Sequence, residues 1–434
     1  MPEWPTARIG EHVKRVVEPV RLEPDREYSS LGIRYGSGIY VRSVKFGRQL
    51  RTRMYRAGAG QFIYCILDSQ RGPFDVVPEE LDGAIITNKF PTYEVGPDLL
   101  PEFLKLTFQR RATLESIGAA RQGAEGRSEW KPDQFEAHVI PFPPRRVQGR
   151  IIEIMASFDA MREALEAEVA AVQAARPAIL AEMLQRRDDS WTEAPVGEIG
   201  TLTRGKRFIK SDYVDSGIGC IHYSQIHTDF GALTDDVHSW LPEAMRPKLR
   251  YAEPGDLVIA GTSENVDGVL KAVAWLGSEP VAVHDDAYIW KHSLEPRFAS
   301  YLFASPAFRA QIQRVFSDTK VVRVSKDNLE RLTLPIPPRD VQETIADAMA
   351  ALDRRIAATA EESVRAQAAR AALLDALLTR KVAVSVPPDD DVGDPGFAGN
   401  VAVLDGIAGW NRGSGATLDD VLTARDEERA GSAG

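Results

Sequence analysis

Cysteine is almost missing. Cys65 and Cys220 are the only two in 434 residues, which leaves no disulfide framework and no thiolate spacing for a metal, and makes a reducing, intracellular compartment the simplest expectation. No run approaches the roughly twenty apolar residues needed to cross a bilayer. The first thirty residues hold no apolar core of signal-peptide length, so a soluble, cytoplasmic protein is expected. The chain has no Walker lysine loop, no GxSxG elbow and no HExxH, and Gly36 and Gly38 in YGSGIY do not complete a phosphate-binding glycine motif. Net charge is −10, a balance that by itself argues mildly against nucleic acid. What is present is 44% apolar sequence, enough for real cores in a chain whose length suggests about two to four domains.

The chain also writes one passage twice. PFPPRRVQ at 141–148 returns as PIPPRDVQ at 335–342, an offset of 194. At the same offset Ile151, Met155, Asp159, Arg176, Leu180 and Leu184 meet Ile345, Met349, Asp353, Arg370, Leu374 and Leu378. Upstream, Trp4, Gly10 and Glu11 match Trp191, Gly197 and Glu198 at an offset of 187. The organisation read from this is globular unit 1–140, element 141–188, globular unit 189–334, element 335–383, and a linker and tail at 384–434.

Each repeated element begins after prolines, which lack an N–H and restrict the residue before them, so a helix must start beyond them. From Val147 to Arg187 there is no glycine after Gly149, and Ala, Glu, Arg, Leu and Met dominate, all strong helix formers. Ile151, Phe158, Leu165, Val172 and Ile179 recur every seventh residue, with Met155, Arg162, Val169, Arg176 and Met183 as a second seam. The later run offers Ile345, Leu352, Thr359, Ala366 and Leu373 against Met349, Ile356, Ser363, Arg370 and Leu377. Such periods predict two long amphipathic helices of coiled-coil character, each about 60 Å long at 1.5 Å per residue. Paired antiparallel, they hide each other's stripes and relate the halves by an approximate two-fold axis. Pro177 inside the first run is expected to kink it or shift its register.

The globular units read as α+β, with short alternating strands such as QFIYCILD, one or two helices each, such as PRFASYLFASPAFRAQIQRVF, and extended returns SEWKPDQFEAHVIP and TKVVRVSKDNLERLTLP. Residues 28–67 contain no Asp or Glu. They do contain Arg34, Arg42, Lys45, Arg48, Arg51, Arg53 and Arg56 among Tyr28, Tyr35, Tyr40, Phe46 and Tyr55. An arginine fork suits guanine edges and phosphates, and each phosphate neutralised releases counterions, so these residues and Lys89 are candidates for DNA contact. A solvated charged face is the plainer alternative. In the second unit Lys206, Arg207 and Lys210, then Lys320 and Arg323, are the weaker equivalents. GCIHYSQIH at 219–227 offers Cys220, His222 and His227, with His284, Asp285 and Asp286 beside them only if the fold brings them together. Its spacing matches no strong zinc signature. A polar, base-reading loop that includes His222 is preferred, and no metal is expected.

Taken together, the two boxes VIPFPPRRVQ (139–148) and LTLPIPPRDVQ (332–342), each ahead of a long helix, and RGPFDVVPEELDGAIITNKFPTY (71–93) resemble the specificity subunit (HsdS) of type I restriction–modification systems. The resemblance covers roughly residues 1–383. It departs at Val147 and Val341, where members commonly carry glutamate before the glutamine.

The resemblance implies two target-recognition domains reading the halves of a bipartite DNA target. Between them lie spacer and docking helices, marked here by Pro143, Gln148, Ile151, Phe158, Leu165, Pro337, Gln342, Ile345, Leu352 and Ile356. Its implied partners are double-stranded DNA, two adenine methyltransferase subunits and restriction/translocase subunits, with no membrane. It also implies no chemistry in this chain, S-adenosylmethionine, ATP and Mg being confined to the partners. Two alternatives stay open: an interaction scaffold whose recognition domains are degenerate, and an enzyme with a site around His222, His227 and Asp286.

Overall fold

The computed structural model describes residues 2–120, 129–263, 268–315 and 322–385. The chain divides into two compact units, Met1–Ala164 with Glu362–Gly434, and Leu165–Glu361. Each is α+β, and each contains one globular head together with a half of each long helix, Arg145–Gln185 and Arg339–Leu378.

In the first unit, a four-stranded antiparallel sheet runs Val13–Val16, Thr92–Val95, Phe62–Tyr64, Phe74–Val76. A second, mixed sheet runs Gly38–Phe46, Glu27–Arg34, Ile85–Ile86, Tyr55–Arg56. The core is aromatic. Phe62, Tyr64, Phe74, Tyr93, Phe108, Trp130 and Phe135 are all buried, and the Phe74 and Phe108 rings stack with centroids 4.1 Å apart. Each such pair contributes about 0.5–1.5 kcal/mol beyond its buried area. Ile151, Met155 and Phe158 from the first helix and Leu374, Leu377 and Leu378 from the second belong to the same core. The two helix segments are also joined by Arg370 and Asp159, 2.8 Å apart.

The second unit has a five-stranded sheet, Gly200–Arg204, Ala287–His292, Leu257–Ala260, Ala272–Trp275, Leu233–Thr234, and a four-stranded one, Trp240–Leu241, Ile218–Ile221, Val281–Val283, Tyr251–Ala252. Its main core gathers Trp290, Phe298, Tyr301, Phe303 and Phe308 with Leu180 and Leu184 of the first helix and Ile345, Ala346 and Met349 of the second. Further along, Arg176 meets Asp353 at 2.7 Å and Glu168 meets Arg355 at 2.8 Å. Residue numbers therefore fall on one segment as they rise on the other.

Two expectations change. The stretches SEWKPDQFEAHVIP and TKVVRVSKDNLERLTLP, read as extended, each contain a short helix, Pro132–Ala137 and Lys326–Glu330. Pro132 stands at the first helical position, which tolerates it, and Ser325 caps the second helix by accepting from Asn328 N at 3.2 Å.

Pro177 does not end the first helix. Pro177 and Gln173, whose carbonyl it leaves without an N–H, are both exposed, so water can take the place of the missing bond.

The buried stripe also departs from a strict seven-residue seam. Ile151, Met155 and Phe158 are buried as expected, but further on Leu180 and Leu184 are buried while Ile179 and Met183 are only half-buried. A straight helix slips about 20° per heptad against a 3.5 repeat, which over four heptads is nearly one residue.

Candidate nucleic-acid interface

The acid-free stretch folds into the hairpin Glu27–Arg34/Gly38–Phe46 and the segment after it. Gly38 turns the hairpin at φ +82°, and a Cβ there would stand 2.3 Å from Asp75 Oδ2. Only glycine fits. Asp75 accepts from Ile39 N at 2.8 Å and pairs with Lys105, which fixes the hairpin to the neighbouring sheet.

Gly38–Phe46 is an edge strand. Its register shifts so that Ser30 faces Ser43 but Leu31 faces Val41, leaving Arg42 as the bulged residue. A bulge re-aims a side chain and twists an edge away from unwanted pairing.

All seven cations from Arg34 to Arg56 are exposed, but they fall into two groups. Arg48 pairs with Asp25, and Arg56 stands 3.5 Å from Asp82 and 4.0 Å from Glu18. Among the described residues Arg34, Arg42, Lys45, Arg51 and Arg53 have no acidic partner. Arg34 lies over the Tyr40 ring at 4.3 Å and Arg53 over Tyr55 at 5.6 Å, contacts that steady a guanidinium without cancelling its charge. Val41, Val44 and Tyr35 stand exposed beside them. Lys89 is half-buried and bonded to Glu129 at 2.6 Å, so it is not a free cation.

In the second unit, Lys206, Arg207 and Lys210 are exposed on the segment after Gly200–Arg204, and Arg323 is exposed on Val322–Arg323. Lys320 lies outside the described residues. The fold brings His222 and His284 together, ring centroids 4.1 Å apart, with Phe208 and Tyr223 against the His284 ring at 5.1 and 5.6 Å. Burial, and then the neighbouring His284, push His222 down to about 4; burial likewise lowers His284. Both imidazoles are neutral at pH 7.

Cys220 and His227 are engaged elsewhere. The Cys220 thiol, pushed up to about 12 by burial, lies 3.4 Å from Ser239 O, and His227 Nε2 lies 3.1 Å from Thr262 O. One ligand atom each from His284, Asp285 and Asp286 lie within 4.8 Å of one another. However, Arg323 stands 2.6 Å and Arg204 3.6 Å from Asp286, and His284 Nδ1 accepts from Asp286 N at 3.1 Å. Two guanidinium groups already occupy the carboxylate a cation would need, so this donor set does not fit a metal.

At the helix starts, Pro143, Gln148, Pro337 and Gln342 are buried. Gln148 accepts from Leu100 N at 2.9 Å and donates to Asp98 O and Pro143 O at 3.0 and 2.9 Å. Gln342 accepts from Glu295 N at 2.8 Å and donates to Pro337 O at 2.9 Å. Ile151, Phe158 and Ile345 are buried, while Leu165, Leu352 and Ile356 are half-buried. The ion pairs Asp159–Arg370 and Arg176–Asp353 were not among the expected site residues. Their signal was present, since these are among the charged positions that match across the 194-residue offset.

Residues 188–366 match the family model of the type I restriction modification DNA specificity domain. That range, well under half of the chain, is where it is similar to the DNA specificity domains of type I restriction modification systems. The specificity subunit of the type I restriction enzyme MjaVIII from Methanocaldococcus jannaschii is 21% identical over 271 residues, 58% of this chain; the match spans 63% of that relative's length. Among solved structures, a chain from work on complex assembly and conformational transition of a type I R-M system is similar with a TM-score of 0.64. It is 19% identical and covers 88% of this chain and 99% of its own. The HsdS subunit from Thermoanaerobacter tengcongensis gives a TM-score of 0.52 at 18% identity, covering 88% of this chain and 98% of its own. These likenesses establish an HsdS-like fold. The family-matched range takes in the second head, while the cationic hairpin lies outside it. Among the described residues no helix is long and apolar enough to cross a membrane.

Proposed function

We propose that this chain is the sequence-reading subunit of a type I restriction–modification complex. Heads 1–140 and 189–334 each read one half of a bipartite duplex target. The helical elements 141–188 and 335–383 form an antiparallel coiled coil that sets the gap and docks two adenine methyltransferase subunits, and through them restriction subunits. The chain does no chemistry of its own, and S-adenosylmethionine, ATP and Mg are used by the partners.

A pseudo-two-fold internal repeat is supported by interactions that recur at matched positions. Asp159 bonds Arg370 and its equivalent Asp353 bonds Arg176. Gln148 and Gln342 hold equivalent backbone groups. Gly10 packs on Glu136 and Gly197 on Glu330, so closely that a Cβ added to either glycine would stand 3.0 Å from its neighbour.

The observation that carries DNA reading is that Arg34, Arg42, Lys45, Arg51 and Arg53 are exposed and have no acidic partner among the described residues. Phosphates would take the exposed guanidinium groups, and groove edges would be read by forks such as the bulged Arg42. The test is affinity for duplex DNA against salt, with the methyltransferase partner present. Reversing Arg42, Arg51 and Arg53 to Glu is expected to weaken binding and to reduce the salt slope by up to about three, at about 0.9 per phosphate lost. Equal affinity and slope in variant and wild type would refute this contact surface.

A scaffold with degenerate recognition domains is favoured by one specific feature, the occupation of Arg204 and Arg323 by Asp286. Absence of salt-dependent DNA binding in the full complex would establish that reading instead.

A further inference from the structure

Two histidines of the second head are held in one tautomer by the backbone. His222 Nδ1 accepts from Ser224 N at 3.2 Å and lies 2.8 Å from Ser224 Oγ. A backbone N–H can only donate, so Nδ1 carries no proton and the single proton of the neutral ring sits on Nε2. His284 is fixed in the same way. Its Nδ1 accepts from Asp286 N at 3.1 Å, which leaves Nε2–H to face Asp285 Oδ1 at 3.3 Å. That proton is engaged, whereas the proton on His222 Nε2 has no partner among the described residues and the atom is open to solvent. The His222 ring packs on His284 at 4.1 Å and on Tyr223 at 4.7 Å. Its backbone N–H donates to Gln225 Oε1 at 2.8 Å, and Gln225 Nε2 donates to Ser239 Oγ at 3.1 Å. A half-buried ring held at so many points presents one uncharged donor in one direction.

We propose that His222 Nε2–H reads the N7 of a single purine in the major groove of the half-site bound by the second head. This rests on the DNA-reading proposal and adds to it the atom and the acceptor. The choice of base over phosphate comes from charge. Burial keeps His222 neutral at pH 7, so it releases no counterion on binding. Lys210 stands close enough to His222, and Arg207 to His284, to help hold the rings uncharged. Both cations are exposed and have no acidic partner among the described residues, which suits them to phosphates. Cations then position the duplex while the neutral donor specifies a base. The choice of N7 comes from counting. A guanidinium fork takes N7 and O6 of guanine together, whereas one donor takes one acceptor, and N7 is the acceptor that guanine and adenine share. The position is therefore read as purine against pyrimidine, with guanine and adenine accepted alike.

The test uses the full complex, methyltransferase subunits included, to select duplexes from a randomised pool. Purines of the selected target are then replaced one at a time by 7-deaza analogues, which put C–H in place of N7 and keep the pairing edge. At one purine the replacement is expected to cost the wild type about three- to tenfold in affinity, the worth of one neutral hydrogen bond. His222→Ala should lose about as much on the unmodified target, lose nothing further with that analogue, keep the wild-type salt slope and relax selection at that position alone. An unchanged second half-site shows that the variant is folded. A wild type indifferent to every 7-deazapurine, or a variant that loses as much as the wild type at each sensitive one, overturns the inference while the DNA reading stands. A pool from which the wild type selects nothing overturns both. Separately from DNA, long-range proton–nitrogen NMR of the histidine-labelled full chain is expected to show His222, assigned by its absence in the variant, protonated on Nε2; a proton on Nδ1 refutes the lock.

Discussion

Replacing Gln148 by Ala tests how the first head is fixed to its helix. Gln148 is fully buried and serves three backbone groups, accepting from Leu100 N and donating to Asp98 O and Pro143 O, all at 2.9–3.0 Å. Alanine removes the partner of all three and leaves a gap the size of a carboxamide. Each buried group left unsatisfied costs about 1–3 kcal/mol, but the loop 97–100 can relax toward water, so about 3 kcal/mol in total is expected.

In a unit of this size that lowers the melting transition by roughly 6–12 °C, at about 2–4 °C per kcal/mol. Calorimetry reads the transition, and amide hydrogen exchange at Leu100 reports the lost bond directly. Gln342→Ala serves as the matched case, removing the partner of Glu295 N and Pro337 O, and should cost somewhat less. A loss under about 0.5 kcal/mol for Q148A, with exchange at Leu100 unchanged, would show that the glutamine does not hold the head.

The helices and the second head supply two more tests. Arg176→Asp or Asp353→Arg alone should destabilise the second unit, and the double swap should recover most of the loss, with a coupling near 1 kcal/mol for a partly exposed, well-formed pair. Additive losses in chemical denaturation would refute direct pairing. His222 and His292 are each pushed down to about 4, chiefly by burial, from an ordinary 6.5. Between those values the unfolded chain binds more protons than the folded one, so stability is full above about pH 6.5 and falls as pH drops toward 4. Urea denaturation at pH 7.5 and 5 should show the loss, and His222→Gln should make it smaller; an unchanged difference in H222Q would remove His222 from the effect.

Much of the helical part is legible in the sequence because it rests on local rules. Proline boxes fix where Arg145–Gln185 and Arg339–Leu378 begin, and absence of glycine lets them run. The aromatic clusters come from strands and helices already suggested by QFIYCIL and PRFASYLF. The short helices at Pro132 and Ser325 were hidden because their signal is a single capping residue within an otherwise strand-like stretch. The drift of the buried stripe from Ile179 to Leu180 was hidden for another reason. A seven-residue count cannot say whether the helix supercoils to keep it.

Composition could say that residues 28–67 are cationic but not which charges are spent. Arg48 and Arg56 look the same as Arg51 and Arg53 in the sequence, yet the fold sets Asp25, Asp82 and Glu18 beside the first two only. His222 and His284, 62 positions apart, likewise become neighbours only through the parallel pairing of Ile218–Ile221 with Val281–Val283. The sequence alone therefore determined the elements set by short-range backbone chemistry and the matched positions of its two halves. Tertiary structure alone decided which cations remain unpaired and which imidazoles are desolvated. Ion pairing and burial depend on distances between residues far apart in the chain, and a linear sequence does not contain those distances.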